Sequence, residues 1–239
     1  MIESIKIELE KFNFNKYIKS AIAADIIILI FLLCVFFIFT SDPIKGLKIN
    51  SLSRYSTFFT MIDSIVRAIF MILSSILIWN IIIRELKNGK MDALFSNTID
   101  GRNTIMAKII IVVMFTFLTI MLSNIFLEVG FYFLNKVFNL IPDKLNLNFI
   151  TINTLAILMY AITSSIMNLI SMYFGIITKS IFVTTLVSII LVCIVCSYNN
   201  GFSLNSITII PLSLAALGIL TSFLSIKHME NLYIKDNAI

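Results

Sequence analysis

Residues 104–134, TIMAKIIIVVMFTFLTIMLSNIFLEVGFYFL, decide the fold: within them only Lys108 and Glu128 carry charge. At 1.5 Å rise per residue, ~20 predominantly apolar residues cross the ~30 Å hydrocarbon core of a bilayer. This run is longer than that and is expected to tilt or to project beyond the lipid. Working outward, apolar runs at 21–40, 58–83, 151–177, 180–197 and 207–226 repeat the pattern, separated by polar or turn-forming segments such as Ser41-Asp42-Pro43 and Asn199-Asn200-Gly201. The pattern predicts an all-α, polytopic membrane protein with six transmembrane helices, organised as one domain over 1–239.

Composition agrees. Hydrophobic residues make up 59% of the 239 and charged residues only 13%, about half the ~25% of ordinary soluble domains. A soluble chain of this length has too much surface relative to its volume to hide so much apolar area, so lipid is its expected solvent. The net charge of +5 does not point to nucleic acid, because the basic residues gather at the ends of apolar runs, where they meet lipid head groups and set orientation. Cys34, Cys193 and Cys196 all lie inside apolar runs. Although the last two make a C-x-x-C, no second pair and only one histidine, His228, exist to complete a metal site. They read as small packing side chains.

Residues 1–20, MIESIKIELEKFNFNKYIKS, place Ile2, Ile5, Leu9 and Phe12 at helical spacing with Lys6, Glu10 and Lys11 elsewhere on the wheel. That is the pattern of an amphipathic helix lying in the membrane interface, and it lacks the short apolar core of a cleaved signal. With the N-terminus inside, the inner segments hold 11 of the 18 Lys and Arg residues and the outer loops 5. The positive-inside rule then puts both termini in the cytosol. Richness in Ile, Asn and Lys suggests a bacterial source, hence the plasma membrane of a bacterial cell.

Enzyme signatures are missing from the sequence. It has no G-x-x-x-x-G-K-[ST], no H-E-x-x-H and no G-x-S-x-G. No nucleotide, metal or other cofactor is expected on this chain.

The informative polar segment is Arg84 to Lys108, RELKNGKMDALFSNTIDGRNTIMAK. Gly89 can end one helix and start another, and Asp92 suits the positive dipole end of the next. Met91, Ala93, Leu94 and Phe95 supply an apolar face, and Asp100-Gly101 is a turn signal. A short amphipathic helix between spans two and three with charged flanks is a docking surface for a soluble partner. The order Glu85, Gly89, Leu94, Ser96, Arg102, Lys108 resembles the loop of type-2 ATP-binding-cassette transporter permeases, over about 25 residues in motif and over the whole chain in architecture. Members often have a proline shortly before the arginine; here Ile99, Asp100 and Gly101 stand there.

The resemblance implies a cytoplasmic coupling helix within 84–103, with Glu85, Gly89, Asp92, Leu94, Phe95 and Arg102 seating it on a separate cytosolic ATPase that carries the ATP and Mg. It also implies a second copy of this chain, or a related permease, to enclose a pathway. Compact permeases of bacitracin-resistance and lantibiotic self-protection systems are similar, which implies export of an antimicrobial or other amphipathic peptide. The alternatives are a non-transport membrane immunity or scaffold protein and an intramembrane enzyme.

Charges inside spans require explanation, since one at the bilayer centre costs ~2.5–3.5 kcal/mol on insertion scales. Asp63 and Arg67 are spaced to pair on one helix face; they read either as an interfacial pair or as polar lining of an outer cavity. Glu128 divides in the same way between anchor and substrate contact. Asp25, close to Lys19, reads as interfacial.

Overall fold

The computed structural model describes residues 6, 8, 12, 14–41, 55–87, 98–138, 147–196, 198–199, 202–203 and 209–236. Helix α1 is Phe14–Ser41, α2 Tyr55–Ile78, α3 Arg84–Lys87, α4 Thr98–Phe138, α5 Leu147–Met167, α6 Leu169–Thr178, α7 Ile181–Cys196 and α8 Ile209–Asp236. Between α2 and α3, Trp79–Ile83 form a π turn, and Tyr198–Asn199 pair antiparallel with Phe202–Ser203 as a two-residue ladder. Five helices are long and apolar enough to cross a membrane: Phe14–Cys34, Phe58–Lys87, Arg102–Lys136, Phe149–Thr178 and Ile210–Glu230. The sixth expected span, α7, has 16 residues.

Among the described residues the bundle has three apolar clusters: a smaller one of Met71, Met167, Leu191, Val192 and Val195 joins α2, α5 and α7, and two mark its ends. One gathers Phe12, Phe14 and Tyr17 with Leu77 to Leu86, Ile105 to Val112, Met172, Ile176 and Met229. The start of α1, the end of α2, the start of α4 and the ends of α6 and α8 therefore share one end, here the connector end. The other cluster joins Ile28 and Leu32 of α1, Phe58 to Phe70 of α2, Ile120 to Phe131 of α4 and Ala161 of α5. Helix α2 runs through the middle, against α4 on one side and α7 on the other, with α5 and α6 also touching it. Helix α1 lies outermost, with Ile22, Ile26, Ile27, Ile30 and Phe31 turned away from the bundle.

Between helices in lipid there is little hydrophobic drive to associate, so polar bonds and close backbone approach carry more of the specificity. Asn168 provides such a bond where α5 gives way to α6. Its Nδ2 donates to the Met71 carbonyl of α2 at 3.0 Å, and the Ser188 hydroxyl of α7 reaches the Asn168 Oδ1 and the same Met71 carbonyl, both at 3.0 Å. Three helices meet on one buried amide. The π turn lies beside another such amide. Asn80 donates its Nδ2 to the Ile76 carbonyl at 3.0 Å, the acceptor its own backbone N–H would use in an α-helix. The ladder slips by one residue here, so that the Arg84 N–H reaches the Trp79 carbonyl.

The structure differs from the sequence expectations at two places. Phe14 and Tyr17, assigned to an interfacial helix over 1–20, begin the spanning helix α1 and pack on Phe115. Asp100-Gly101 makes no turn. It lies within α4, which starts at Thr98 and so adds about one turn before Arg102; a glycine costs a helix only ~1 kcal/mol, which the long helix absorbs. Within the segment 84–103, residues 88–97 lie outside the described residues. Residues 84–87 continue the line of α2 and residues 98–103 open α4. Spans four and five are joined as tightly as expected, with Lys179 in the left-handed region (φ 48°) closing α6.

Two glycines allow helices to touch. A Cβ on Gly218 of α8 would meet the Ile166 carbonyl of α5, whereas one on Gly175 would meet only side-chain atoms, of Thr184 and Ile83. Backbone cannot step aside as a side chain can. Gly218→Ala is therefore expected to destabilise the protein by ~1–3 kcal/mol, the range for overpacking, and Gly175→Ala by less. Thermal unfolding in detergent micelles checks the order; equal melting of the two variants would contradict it.

Candidate functional site

Two groups of charged side chains are buried in the bundle, one at each end of α2. At the connector end the centre is Lys108 of α4, only 2% exposed. Its ammonium pairs with Glu85 of α3 and, at 3.7 Å, with Glu8. The ring of Phe12 lies 6.0 Å from the same nitrogen. A lysine so deeply buried keeps its charge only if opposite charges surround it, and here two carboxylates from different parts of the chain do so. The π turn and the buried Leu86 fix Glu85 in place. The ion pair closes a loop of 23 residues, so the polar connector hangs from a clasp whose two jaws are α3 and α4. The N-terminal segment is the third member. Outside the clasp, Lys87 lies over the Trp79 ring at 5.7 Å, and Arg102 meets Glu230 of α8 at 3.7 Å.

About 33 Å along α2 from Glu85, counting 1.5 Å per residue, lies the second group. Asp63 and Arg67 form an i,i+4 salt bridge, and both are buried. Arg67 also donates from Nε to the Asp63 carbonyl at 3.4 Å and faces the Tyr160 ring of α5 at 4.5 Å. Asn124 of α4 donates to Asp63 Oδ1 at 3.4 Å and to the Ile120 carbonyl at 3.1 Å. One turn further along α4, Glu128 accepts both of its hydrogen bonds from Asn153 of α5, at 2.8 and 3.0 Å. Ser123 donates to Asp25 of α1 at 3.0 Å, and the Cys196 thiol at the end of α7 approaches the Ser64 carbonyl at 3.7 Å. Five helices thus converge on this layer.

Asp63 and Arg67 pair as their spacing suggests, and both are buried between the helices. Asp25 is turned onto α4, where it accepts from Ser123. Glu128 bridges two helices. Of the residues expected to seat a partner, Glu85 lies in the clasp and Arg102 on the rim between α4 and α8, while Gly89, Asp92, Leu94 and Phe95 fall outside the described residues. Glu8, Asn124, Tyr160 and Asn168 were not anticipated. The available signal was the lone amides Asn124, Asn153 and Asn168, each standing in an otherwise apolar run, where a polar group has to find a partner helix. Among the described residues no group of three His, Cys, Asp or Glu side chains is placed to hold a metal ion.

Removing one member of a buried ion pair strands the other, a loss of ~3–5 kcal/mol. Lys108→Met and Glu85→Leu are each expected to destabilise by that order. The variant carrying Lys108→Met, Glu85→Leu and Glu8→Leu together is expected to lose less than Lys108→Met alone. A thermodynamic cycle measured by unfolding in micelles reads this directly, and strictly additive losses would deny the clasp.

No protein-family model matches the chain, and no solved structure matches it. The uncharacterized protein YcbO of Bacillus subtilis (strain 168) is 31% identical over 226 residues, covering 95% of this chain and 97% of the relative. Similarity of that extent, running through every helix of the bundle, means that the chain belongs to the same family as YcbO.

Proposed function

We propose that this chain is the membrane-spanning permease subunit of an ATP-binding-cassette exporter, driven by a separate cytosolic ATPase. In this reading α7 completes six crossings of a bacterial plasma membrane. The connector end, with both termini, faces the cytosol, and the exported molecule is an antimicrobial or other amphipathic peptide. A second copy of the chain or a related permease completes the pathway.

The observation that carries the reading is the clasp. Force delivered to a cytosolic connector moves spanning helices only if the connector is stiffly joined to them. Both of its roots are helical, Arg84–Lys87 and Thr98 onward, and Lys108 ties them together through Glu85. Glu85, Arg102 and Lys108 are also three of the positions on which the resemblance to type-2 permeases rests, and two of them carry that joint. The polar layer at Asp63, Arg67 and Glu128 supplies charged and amide groups within the opposite half of the bundle. That is where an amphipathic passenger would exchange its water contacts.

Affinity purification from native membranes is expected to bring down an ATPase subunit. Leu94→Asp and Gly89→Pro are expected to abolish that recovery and ATP-driven export while leaving the inserted amount unchanged. Normal ATP hydrolysis and export by a complex carrying both substitutions would show that the coupling assignment is wrong. For orientation, Lys90→Cys, in a background with Cys34, Cys193 and Cys196 replaced, is expected to react with an impermeant maleimide only in inside-out vesicles. Labelling in intact cells would reverse the topology.

A further inference from the structure

Beside the clasp, Arg102 of α4 and the α8 residues between Leu220 and Glu230 line an open groove of about 510 Å³. It has two chemically distinct ends. Arg102, 57% exposed, and Lys227 stand at the rim, with Glu230 against Arg102 at 3.7 Å. Leu220, Phe223 and Leu224 form the floor at helical spacing i, i+3, i+4, and all three are more than half exposed. The rim residues stand at the ends of two spanning segments, Arg102–Lys136 and Ile210–Glu230, and the floor lies inside the second. In a bilayer crossed by these segments, the charged end would lie toward the head groups and the apolar end toward the acyl chains.

We propose that this groove holds one anionic phospholipid, its phosphate against Arg102 and Lys227 and an acyl chain along Leu220, Phe223 and Leu224. The Arg102 guanidinium carries five donors in a planar fork matched to phosphate oxygens, and its contact with Glu230 is long. The two cations and one carboxylate at the rim leave it net positive. The wider surface agrees. Lys16, Lys19, Arg84, Lys87 and Lys179 are exposed at the same end, whereas Glu8 and Glu85 are turned inward onto Lys108. The clasp thus hides carboxylates that would repel an anionic head group. Burial of the floor within a spanning segment favours a lipid over an acidic soluble protein, which could reach the cations but not Phe223. The site is independent of any transport activity and requires only that these helices lie in a membrane.

Native mass spectrometry of the purified chain, released from micelles containing equal phosphatidylglycerol and phosphatidylcholine, tests the assignment. The protein is expected to retain phosphatidylglycerol preferentially. Lys227→Glu is expected to reduce that preference at least fivefold, since roughly 1 kcal/mol attaches to each basic charge near anionic lipid. Lys136→Glu, at the far end of α4, is expected to leave it unchanged. Lys227→Gln, a milder change, is expected to lower it by a smaller factor and covers the case in which the charge reversal misassembles. Equal retention of the two lipids by the unmodified protein would overturn the proposal and leave the groove to an acidic protein. Competition by inorganic phosphate at the same concentration as the lipid would overturn it in favour of a free anion, and unchanged selectivity in both Lys227 variants would place the lipid elsewhere.

Discussion

A lysine ammonium cannot stay charged inside an apolar bundle without anions beside it, and this requirement at Lys108 organises the connector end. Glu85 must arrive from the end of α2 and Glu8 from the N-terminal segment, so three stretches far apart in sequence are held together at one point. The π turn at Trp79–Ile83 is part of the same arrangement. By shifting the backbone ladder one residue, it rotates α3 relative to α2 by roughly the 100° that one residue spans in a helix. The direction in which Glu85 emerges therefore follows from the π turn rather than from α2 alone.

The opposite end is built on a different principle. Charges there are shared among amides and hydroxyls from several helices, not concentrated on one cation. Asp63 takes Arg67 from its own helix and Asn124 from α4; Glu128 takes Asn153 from α5. Because a hydrocarbon solvent offers these groups no alternative partner, the bonds specify which helix faces which, much as the Asn168 junction does nearer the middle. In this bundle, apolar surface drives insertion and a few amides fix the arrangement.

That division explains what could be read from the sequence. Element type and order were legible because apolar runs of span length leave few structural options in lipid. The end of α6 and start of α7 were legible because Lys179-Ser180 are the only polar break between two apolar runs. The spacing of Asp63 and Arg67 announced a pair. Their burial was not legible, since it depends on Asn124 and Tyr160 arriving from helices 57 and 93 residues beyond Arg67. Asp100-Gly101 misled for a related reason: a turn signal of two residues yields to a helix that is already propagating for 41 residues. Glu8 was unreadable as a functional residue because nothing in the pattern of residues 1–20 sets it apart from Glu3 or Glu10.

One dimension of the bundle has a further effect. Helix α7, with 16 residues, rises only about 24 Å, short of the ~30 Å of hydrocarbon. Such a mismatch is met by thinning the bilayer or by letting water follow the helix end inward. The end in question is Cys196, which abuts Ser64, the neighbour of Asp63. In the six-crossing reading proposed above, that mismatch falls beside the Asp63–Arg67 pair.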